Sequence, residues 1–184
     1  MKYLKHARRA ALFLPLSALL WAGCAKEAEK EELIPEVAFQ FDYPAMPVTL
    51  DSATVAGPGV VLALDSTTLD GAVAANHYLP SQLHELKLTK ARLYFTSPVN
   101  SFYNSLKSVT VFMQESDVAA VQVAKLDPVP NGAQTLLLNL GDVDVLQMVR
   151  SNHARLILRM EFDGPMAAAT GHVLSISARA KVQL

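Results

Sequence analysis

The most reactive side chain in this sequence is its single cysteine, Cys24, which lies in the stretch LWAGCAKEAEKEE. A lone thiol cannot close a disulfide within the chain, and metal or redox sites normally need several convergent ligands. Cys24 is therefore either an incidental residue or one whose role depends on its neighbours in the sequence.

The segment before Cys24 has the pattern of a secretory signal peptide. Residues 1–9 include four basic residues and no acidic one, and residues 10–22 (AALFLPLSALLWA) are apolar apart from Ser17. A membrane-spanning helix needs about 20 apolar residues, so this run is too short to span. Residues 1–23 are therefore predicted to be a signal peptide that is removed on export.

The cleavage region resembles that of bacterial lipoprotein precursors, in which a large apolar residue and two small residues precede a cysteine. Ala22, Gly23 and Cys24 match, with Leu20 upstream and Trp21 where such sites most often have Leu. The resemblance implies processing by the lipoprotein signal peptidase and a diacylglycerol thioether on Cys24, usually with a further N-acyl chain. At about 0.8 kcal/mol per buried methylene, such chains would hold the protein on a bilayer.

The residues after Cys24 are dense in charge and poor in large apolar groups, so residues 24–36 are predicted to be the lipidated cysteine and a flexible tether. Lys26-Glu27 and residues 29–32 (EKEE) resemble the export signals of surface lipoproteins in the Bacteroidetes. The expected location is the outer membrane. The sequence leaves open whether the domain faces the periplasm or the cell surface.

Composition excludes one class of partner for the domain that follows. Removal of residues 1–23 leaves 12 Lys and Arg residues against 17 Asp and Glu, a formal net charge of −5. Nucleic-acid binders carry a basic excess, so no nucleic-acid partner is expected. The expected partners are the membrane, through Cys24, and an anionic envelope component or a protein.

Residues 37–184 are predicted to form one all-β domain, an antiparallel β-sandwich of about eight or nine strands with one short helix. Apolar residues alternate with polar ones in short segments separated by turn-forming residues, and no βαβ rhythm is present. A partly open β-barrel is the alternative architecture. This layout loosely resembles small uncharacterised β-sandwich lipoproteins of the Bacteroidetes, and the resemblance implies no active site.

Two local features refine this prediction. In residues 86–96 (LKLTKARLYFT) the apolar positions change parity, and a β-bulge near Thr89-Lys90 would return them to one face. In residues 142–152 (DVDVLQMVRSN), Val145, Leu146 and Val149 have helical spacing. Asp142 is predicted to cap this helix rather than to bind calcium, because the rest of an EF-hand loop is missing.

Catalytic and metal-binding motifs are not evident in the sequence. The histidines His77, His84, His153 and His172 lack the spacing of zinc ligands and are predicted to be surface or loop-end residues. No nucleophile elbow, glycine-rich phosphate loop or H-E-x-x-H motif occurs. The predicted site therefore contains no catalytic residue, no metal and no cofactor.

Aromatic residues on an outer surface could form a platform for sugars. Phe39, Phe41, Phe95 and Phe162 have the parity of core residues. Tyr94 is predicted on an outer strand face, and Tyr78 and Tyr103 lie in connections, where binding residues often occur. These three tyrosines are candidates for sugar contact, with packing at the edge of the core as the alternative.

The last two strands, residues 155–162 and 173–184, are predicted to pair as an antiparallel hairpin. Their outward positions would then share one surface and bring four basic residues together, which suits an anionic partner. The alternative is that these basic side chains are only solvated and are partly balanced by the charge of Glu161. The four basic residues are Arg155, Arg159, Arg179 and Lys181.

The sequence as a whole predicts a lipid-anchored envelope lipoprotein whose β-sandwich has a binding or structural role and is not an enzyme. Two alternatives remain open at this level. One is an envelope hydrolase with a dispersed active site, because catalytic triads converge in space and not in sequence. The other is a periplasmic carrier of lipid or lipoprotein, which would need an apolar cavity between its sheets.

Overall fold

The structure is a computed structural model, and it describes residues 35–51, 56–57, 59–98, 103–116, 118–151, 153–164 and 168–184. These residues belong to one compact unit, Ile34–Leu184. Cys24, the predicted signal peptide and nearly all of the predicted tether lie outside the described residues.

Ten strands in the described residues form two antiparallel sheets, which confirms the predicted β-sandwich. The strands of sheet I are β1 (Glu36–Asp42), β2 (Met46–Leu50), β4 (Leu83–Ser97), β7 (Thr135–Leu137) and β10 (Thr170–Gln183). β10 pairs with β4, and β4 pairs with β7. On its other side β10 pairs with β1 along one part of its length and with β2 along another part.

The strands of sheet II are β3 (Val60–Ala63), β5 (Leu106–Glu115), β6 (Val121–Leu126), β8 (Asn139–Leu140) and β9 (Ala154–Phe162). Their order in the sheet is β3-β9-β5-β6-β8, and every pairing is antiparallel. The described strands thus form two separate sheets and not one sheet closed on itself, which favours the sandwich over the barrel alternative.

One hydrophobic core lies between the inward faces of the two sheets. Leu93 and Leu174 of sheet I and Met113 and Leu156 of sheet II are fully buried in it. Alternation along each strand produces this arrangement, since successive side chains point to opposite faces of a sheet. Full burial of each such side chain contributes roughly 1.5–3 kcal/mol to folding.

The predicted bulge in β4 is confirmed. Ser177 of β10 is paired with Lys90 and Ala178 with Leu88, so Thr89 has no partner in the register. The extra residue allows apolar positions of both parities, Leu86, Leu88, Ala91 and Leu93 among them, to lie buried on one face.

Two helices connect strands in the described residues. Helix α1 (Ser66–Ala75), which the sequence analysis did not identify, begins after Asp65, whose side chain accepts a hydrogen bond from the Thr67 amide at 2.8 Å. It packs Leu69 and Val73 into the core. Its hydrophobic face is narrow, which made its period hard to recognise. A short 3-10 turn, Pro80–Gln82, precedes β4.

Helix α2 (Leu146–Arg150) occurs within the segment predicted to be helical, but the predicted cap was wrong. Asp144 Oδ1, not Asp142, accepts a hydrogen bond from the Leu146 amide at 3.0 Å. The same oxygen accepts from the Leu86 amide of β4, also at 3.0 Å. Asp142 instead forms an ion pair with Lys87 at 2.6 Å. The N-cap residue is Val145, whose side chain makes no capping hydrogen bond, and one oxygen of the preceding Asp144 is shared by the first amide of the helix and an amide of β4.

The predicted hairpin of the last two strands was also wrong. β9 belongs to sheet II, where it lies between β3 and β5, whereas β10 lies at the centre of sheet I. The connection between Phe162 and Thr170 therefore crosses from one sheet to the other. Alternation correctly indicated which face of each strand is buried, but that period is the same whether two strands pair or pack face to face.

Candidate functional site

The four basic residues predicted to cluster do not share a surface. Arg155 and Arg159 lie on outward positions of β9 in sheet II, and Arg179 and Lys181 lie on outward positions of β10 in sheet I. Because the two sheets face each other through the core, their outer surfaces point away from each other. The prediction of a joint patch was therefore wrong.

The two arginines of sheet II make local contacts. Arg155 donates through Nη2 to the carbonyl oxygen of Ser116 at 3.0 Å. The guanidinium carbon of Arg159 lies 4.9 Å from the centroid of the Phe112 ring, within the range of a cation–π contact. Both side chains are thus engaged by neighbours on sheet II.

One end of the outer face of sheet I carries a network of ion pairs. Lys181 is 3.1 Å from Glu85 and 3.9 Å from Glu36, and Lys87 contacts Asp142 and, at 3.6 Å, Glu85. The hydrogen bond from Lys87 lowers the pKa of Asp142, and the same bond raises the pKa of Lys87. These pairs are solvent-screened, so positive and negative charge at this end are matched without a large gain in stability.

The centre of the same face carries positive charge that is not matched in this way. Lys90 and Arg92 occupy successive outward positions of β4 after the bulge, and Arg179 lies on the adjacent strand β10. Within the described part of the chain, none of the three has a carboxylate within 4 Å. We call Lys90, Arg92 and Arg179 the basic face.

Neutral polar groups lie between these cations. Ser177 is paired with Lys90 in the register and Ser175 with Arg92, and both serines are half-buried. The Ser177 hydroxyl donates to Asp42 of β1 at 2.5 Å. A hollow of about 400 Å³ opens here, lined by Gln40, Phe41, Asp42, Thr89, Lys90 and Ser177. The bulge at Thr89 thus contributes to the shape of this surface.

Tyr94 adds an aromatic ring to the same face. It follows Arg92 by two residues on β4, is paired with Val173 of β10 and Thr135 of β7, and is half-buried. Its predicted outward position agrees with this placement. The other two tyrosine candidates differ, since Tyr78 stacks on Phe39 with 5.9 Å between ring centroids and Tyr103 is almost completely buried.

Tyr103 belongs to a buried polar cluster that sequence reasoning missed. Its hydroxyl lies 3.0 Å from Nδ1 of His172, and Nε2 of His172 lies 2.8 Å from the Thr170 hydroxyl. Phe95 packs on both rings, with centroid distances of 4.2 Å to Tyr103 and 4.6 Å to His172. The prediction that His172 is a surface or loop-end residue was therefore wrong, and Tyr103 cannot offer a flat ring to a sugar.

Burial determines the protonation of this cluster. It lowers the pKa of His172 from 6.5 to about 4 and raises the pKa of Tyr103. A neutral imidazole has one donor and one acceptor nitrogen, and the two hydroxyls satisfy both. The cluster is thus a closed hydrogen-bonded unit that holds residue 103 against sheet I.

The other three histidines of the domain do not form a shared site. His84 contacts Glu36 at 3.0 Å, and His77 and His153 are exposed. Over the ranges that the structure describes, no three His, Cys, Asp or Glu side chains are grouped closely enough to hold a metal ion. In the same ranges no helix has the length and apolar character needed to cross a membrane.

Comparison with known proteins provides little further information. No protein-family model matches the chain, and no curated protein matches it significantly. Six chains of solved structures match, among them one from the three-dimensional structure of Cocksfoot mottle virus. That match covers 96% of this chain and 95% of the viral chain at 10% identity, with a TM-score of 0.32. A likeness this weak supports no conclusion about the fold or the function.

Proposed function

We propose that this protein is a lipoprotein of a bacterial outer membrane, held by acyl chains on Cys24, whose β-sandwich binds an envelope component or a protein partner and is not an enzyme. The observation that carries the proposal is the order of features in residues 1–32. A basic segment, an apolar segment, Ala22-Gly23-Cys24 and a charged segment follow one another without interruption. Each part is common alone, but together they are typical of a processed and lipidated precursor.

The distribution of polar groups in the domain supports a binding role. The buried polar side chains of Tyr103, His172 and Thr170 satisfy one another, as Ser108 and Glu161 do through a hydrogen bond of 3.0 Å. These groups are used for packing. On the outer face of sheet I, by contrast, Lys90, Arg92 and Arg179 form no ion pair with another described residue, and they lie where a large partner has access.

The anchor is tested by metabolic labelling with a fatty-acid analogue in the bacterial host. The wild-type chain should incorporate the label, and Cys24→Ser should not, because the hydroxyl is not a substrate for diacylglycerol transfer. Ala25→Ser, which alters the adjacent residue and retains the thiol, is the matched control and should be labelled like the wild type. Label on Cys24→Ser, or none on the wild type, would contradict the proposal.

The side of the membrane is tested by protease shaving of intact cells. The charged residues after Cys24 favour the cell surface, so cleavage without lysis is the expected result. Replacing Lys26, Glu27 and residues 29–32 with Ser and Gln should shift the protein towards protection in intact cells. Full protection of the wild type, with cleavage only after lysis, would place the domain in the periplasm.

A further inference from the structure

We propose that the basic face of sheet I binds an acidic polysaccharide, with its carboxylate-bearing sugars lying along β4 and β10. This inference rests on the proposed binding function and adds the class of partner and the surface. It replaces the joint patch predicted from sequence, whose residues lie on two opposite faces. Three properties of the surface favour such a ligand: its charge, its neutral hydrogen-bonding groups and its aromatic ring.

The charge is both concentrated and available. Lys90 and Arg92 are about 7 Å apart along β4, and Arg179 is diagonal to Lys90 across the strand pair, at about 7–8 Å. Like charges at this spacing repel one another mildly, and no carboxylate within 4 Å offsets them in the described residues. An anionic ligand would relieve that repulsion, and arginine side chains are suited to bidentate contact with carboxylates.

The acids of sheet I define the limits of the surface. Glu36, Glu85 and Asp142 neutralise Lys87 and Lys181 at one end of the strands. At the side of the surface, Asp42 lies on the neighbouring strand β1 and accepts a hydrogen bond from the Ser177 hydroxyl. Arg179 is opposite Lys87 in the register and helps to lower the pKa of Asp142, so it borders the ion-pair network. From Arg179 the open positive charge runs to Lys90 and Arg92 and on towards Tyr94.

The neutral groups favour a sugar chain over a bilayer. Ser175 and Ser177 lie between the cations, and Gln40 and Thr89 border the hollow beside them. Hydroxyl and amide groups exchange hydrogen bonds with sugar hydroxyls, whereas interfacial membrane binding combines charge with apolar side chains that enter the lipid. The outward positions around the cations have few such apolar side chains, Leu137 at the edge strand β7 being the most exposed.

Tyr94 provides the aromatic ring that completes the surface. Binding sites for small polar ligands combine a few polar groups with aromatic side chains, and a tyrosine has an apolar ring face with a polar hydroxyl. From Lys90 to Tyr94 the strand extends about 13 Å, which accommodates a short oligosaccharide lying along it. The ring would contact the C–H face of one sugar while Arg92 pairs with a neighbouring carboxylate.

The test uses the full-length Cys24→Ser chain, which lacks acyl chains, and measures its affinity for oligogalacturonate by calorimetry. Uncharged dextran and anionic phosphatidylglycerol vesicles are the comparison ligands. Lys90→Gln/Arg92→Gln/Arg179→Gln should weaken oligogalacturonate binding by about tenfold, since each exposed pair contributes modestly. The matched control is Lys107→Gln/Arg155→Gln/Arg159→Gln, which removes the same charge from sheet II and should bind like the parent.

A second variant separates sugar recognition from simple charge attraction. Tyr94→Leu retains every charge, and it should weaken oligogalacturonate binding at high salt, where the screened ionic contribution is small. Equal weakening by the two triple variants, unchanged binding by Tyr94→Leu at high salt, or binding to vesicles without binding to oligogalacturonate would each overturn the inference. Circular dichroism of each variant confirms that its fold is retained.

The result of the oligogalacturonate test does not depend on whether Cys24 is acylated. If fatty-acid labelling succeeds and oligogalacturonate does not bind, the polysaccharide inference fails while the lipoprotein proposal stands. If the wild type is not labelled and the basic face still binds the polysaccharide, the anchor fails and the surface assignment stands.

Discussion

The Tyr103 hydroxyl and His172 Nδ1 lie 3.0 Å apart, although the two residues are 69 positions apart in the chain. Both are 2% exposed, so each depends on the other for a hydrogen bond that water cannot supply. The contact attaches the end of the connection between β4 and β5 to the central strand of sheet I. The His172 imidazole is thereby packed in the interior as a structural group.

His172 should make the protein sensitive to mild acid. Because its folded pKa is about 4 and its ordinary value is 6.5, the unfolded chain binds more protons between these values. The free energy of unfolding should therefore fall as pH decreases from about 6.5 to 4, by at most about 3 kcal/mol from this group. The pH dependence from this group disappears only above about pH 7.5, where the unfolded imidazole is also neutral.

Denaturant unfolding at several pH values checks this prediction. His172→Gln retains a donor and an acceptor but cannot titrate, so its stability should vary less between pH 6.5 and 4 than that of the wild type. His153→Gln, at an exposed position, should retain the wild-type slope. Carboxyl groups titrate equally in all three proteins, and identical slopes for wild type and His172→Gln would refute the prediction.

The same chemical change at two buried tyrosines should have different effects. Tyr103→Phe leaves His172 Nδ1 without its partner and should lower the free energy of unfolding by about 1–3 kcal/mol. The Tyr43 hydroxyl is buried without a hydrogen-bond partner among the described residues, so Tyr43→Phe removes an unpaired polar group. That variant should be as stable as the wild type or more stable.

Urea midpoints of the two tyrosine variants, measured side by side, provide the comparison. The ring and its packing are retained in both proteins, so the difference isolates the two hydroxyls. A larger loss for Tyr43→Phe than for Tyr103→Phe would show that the hydrogen bond to His172 is not the stabilising contact.

The two aspartates before helix α2, Asp142 and Asp144, should also differ in how much each contributes to the stability of the protein. Asp144→Ala removes the acceptor of both the Leu86 and the Leu146 amides and should cost about 1–3 kcal/mol, because partly buried donors lose their partner. Asp144→Asn retains an oxygen acceptor and should recover most of that loss. Asp142→Ala breaks an exposed ion pair with Lys87 and should have little effect.

Thermal or urea unfolding of these variants at neutral pH tests whether the two hydrogen bonds to Asp144 stabilise the protein. Equal stability of Asp144→Ala and Asp142→Ala would contradict it. High salt should leave the loss caused by Asp144→Ala nearly unchanged and reduce the small loss caused by Asp142→Ala, since a hydrogen bond to a partly buried amide is screened much less than a surface pair.

The sequence by itself determined which face of each strand is buried and where β4 changes phase. Both follow from local chemistry, because a period of two in hydrophobicity matches the alternation of side chains, and a bulge is the way to change parity within one strand. Thr89 therefore lies where the parity break indicated. A helix near Leu146 was predictable for the same reason, because the helical spacing of its apolar residues is also a local property of the sequence.

Only the tertiary structure decided which strands are neighbours and which polar groups meet. Period two is identical for strands that pair and strands that face each other, so Arg155 and Arg179 could not be assigned to opposite faces from sequence. The Asp144 contact to Leu86 and the Tyr103–His172 pair each join residues more than 50 positions apart. Such contacts depend on chain crossings between the sheets, and no local pattern of residues encodes those crossings.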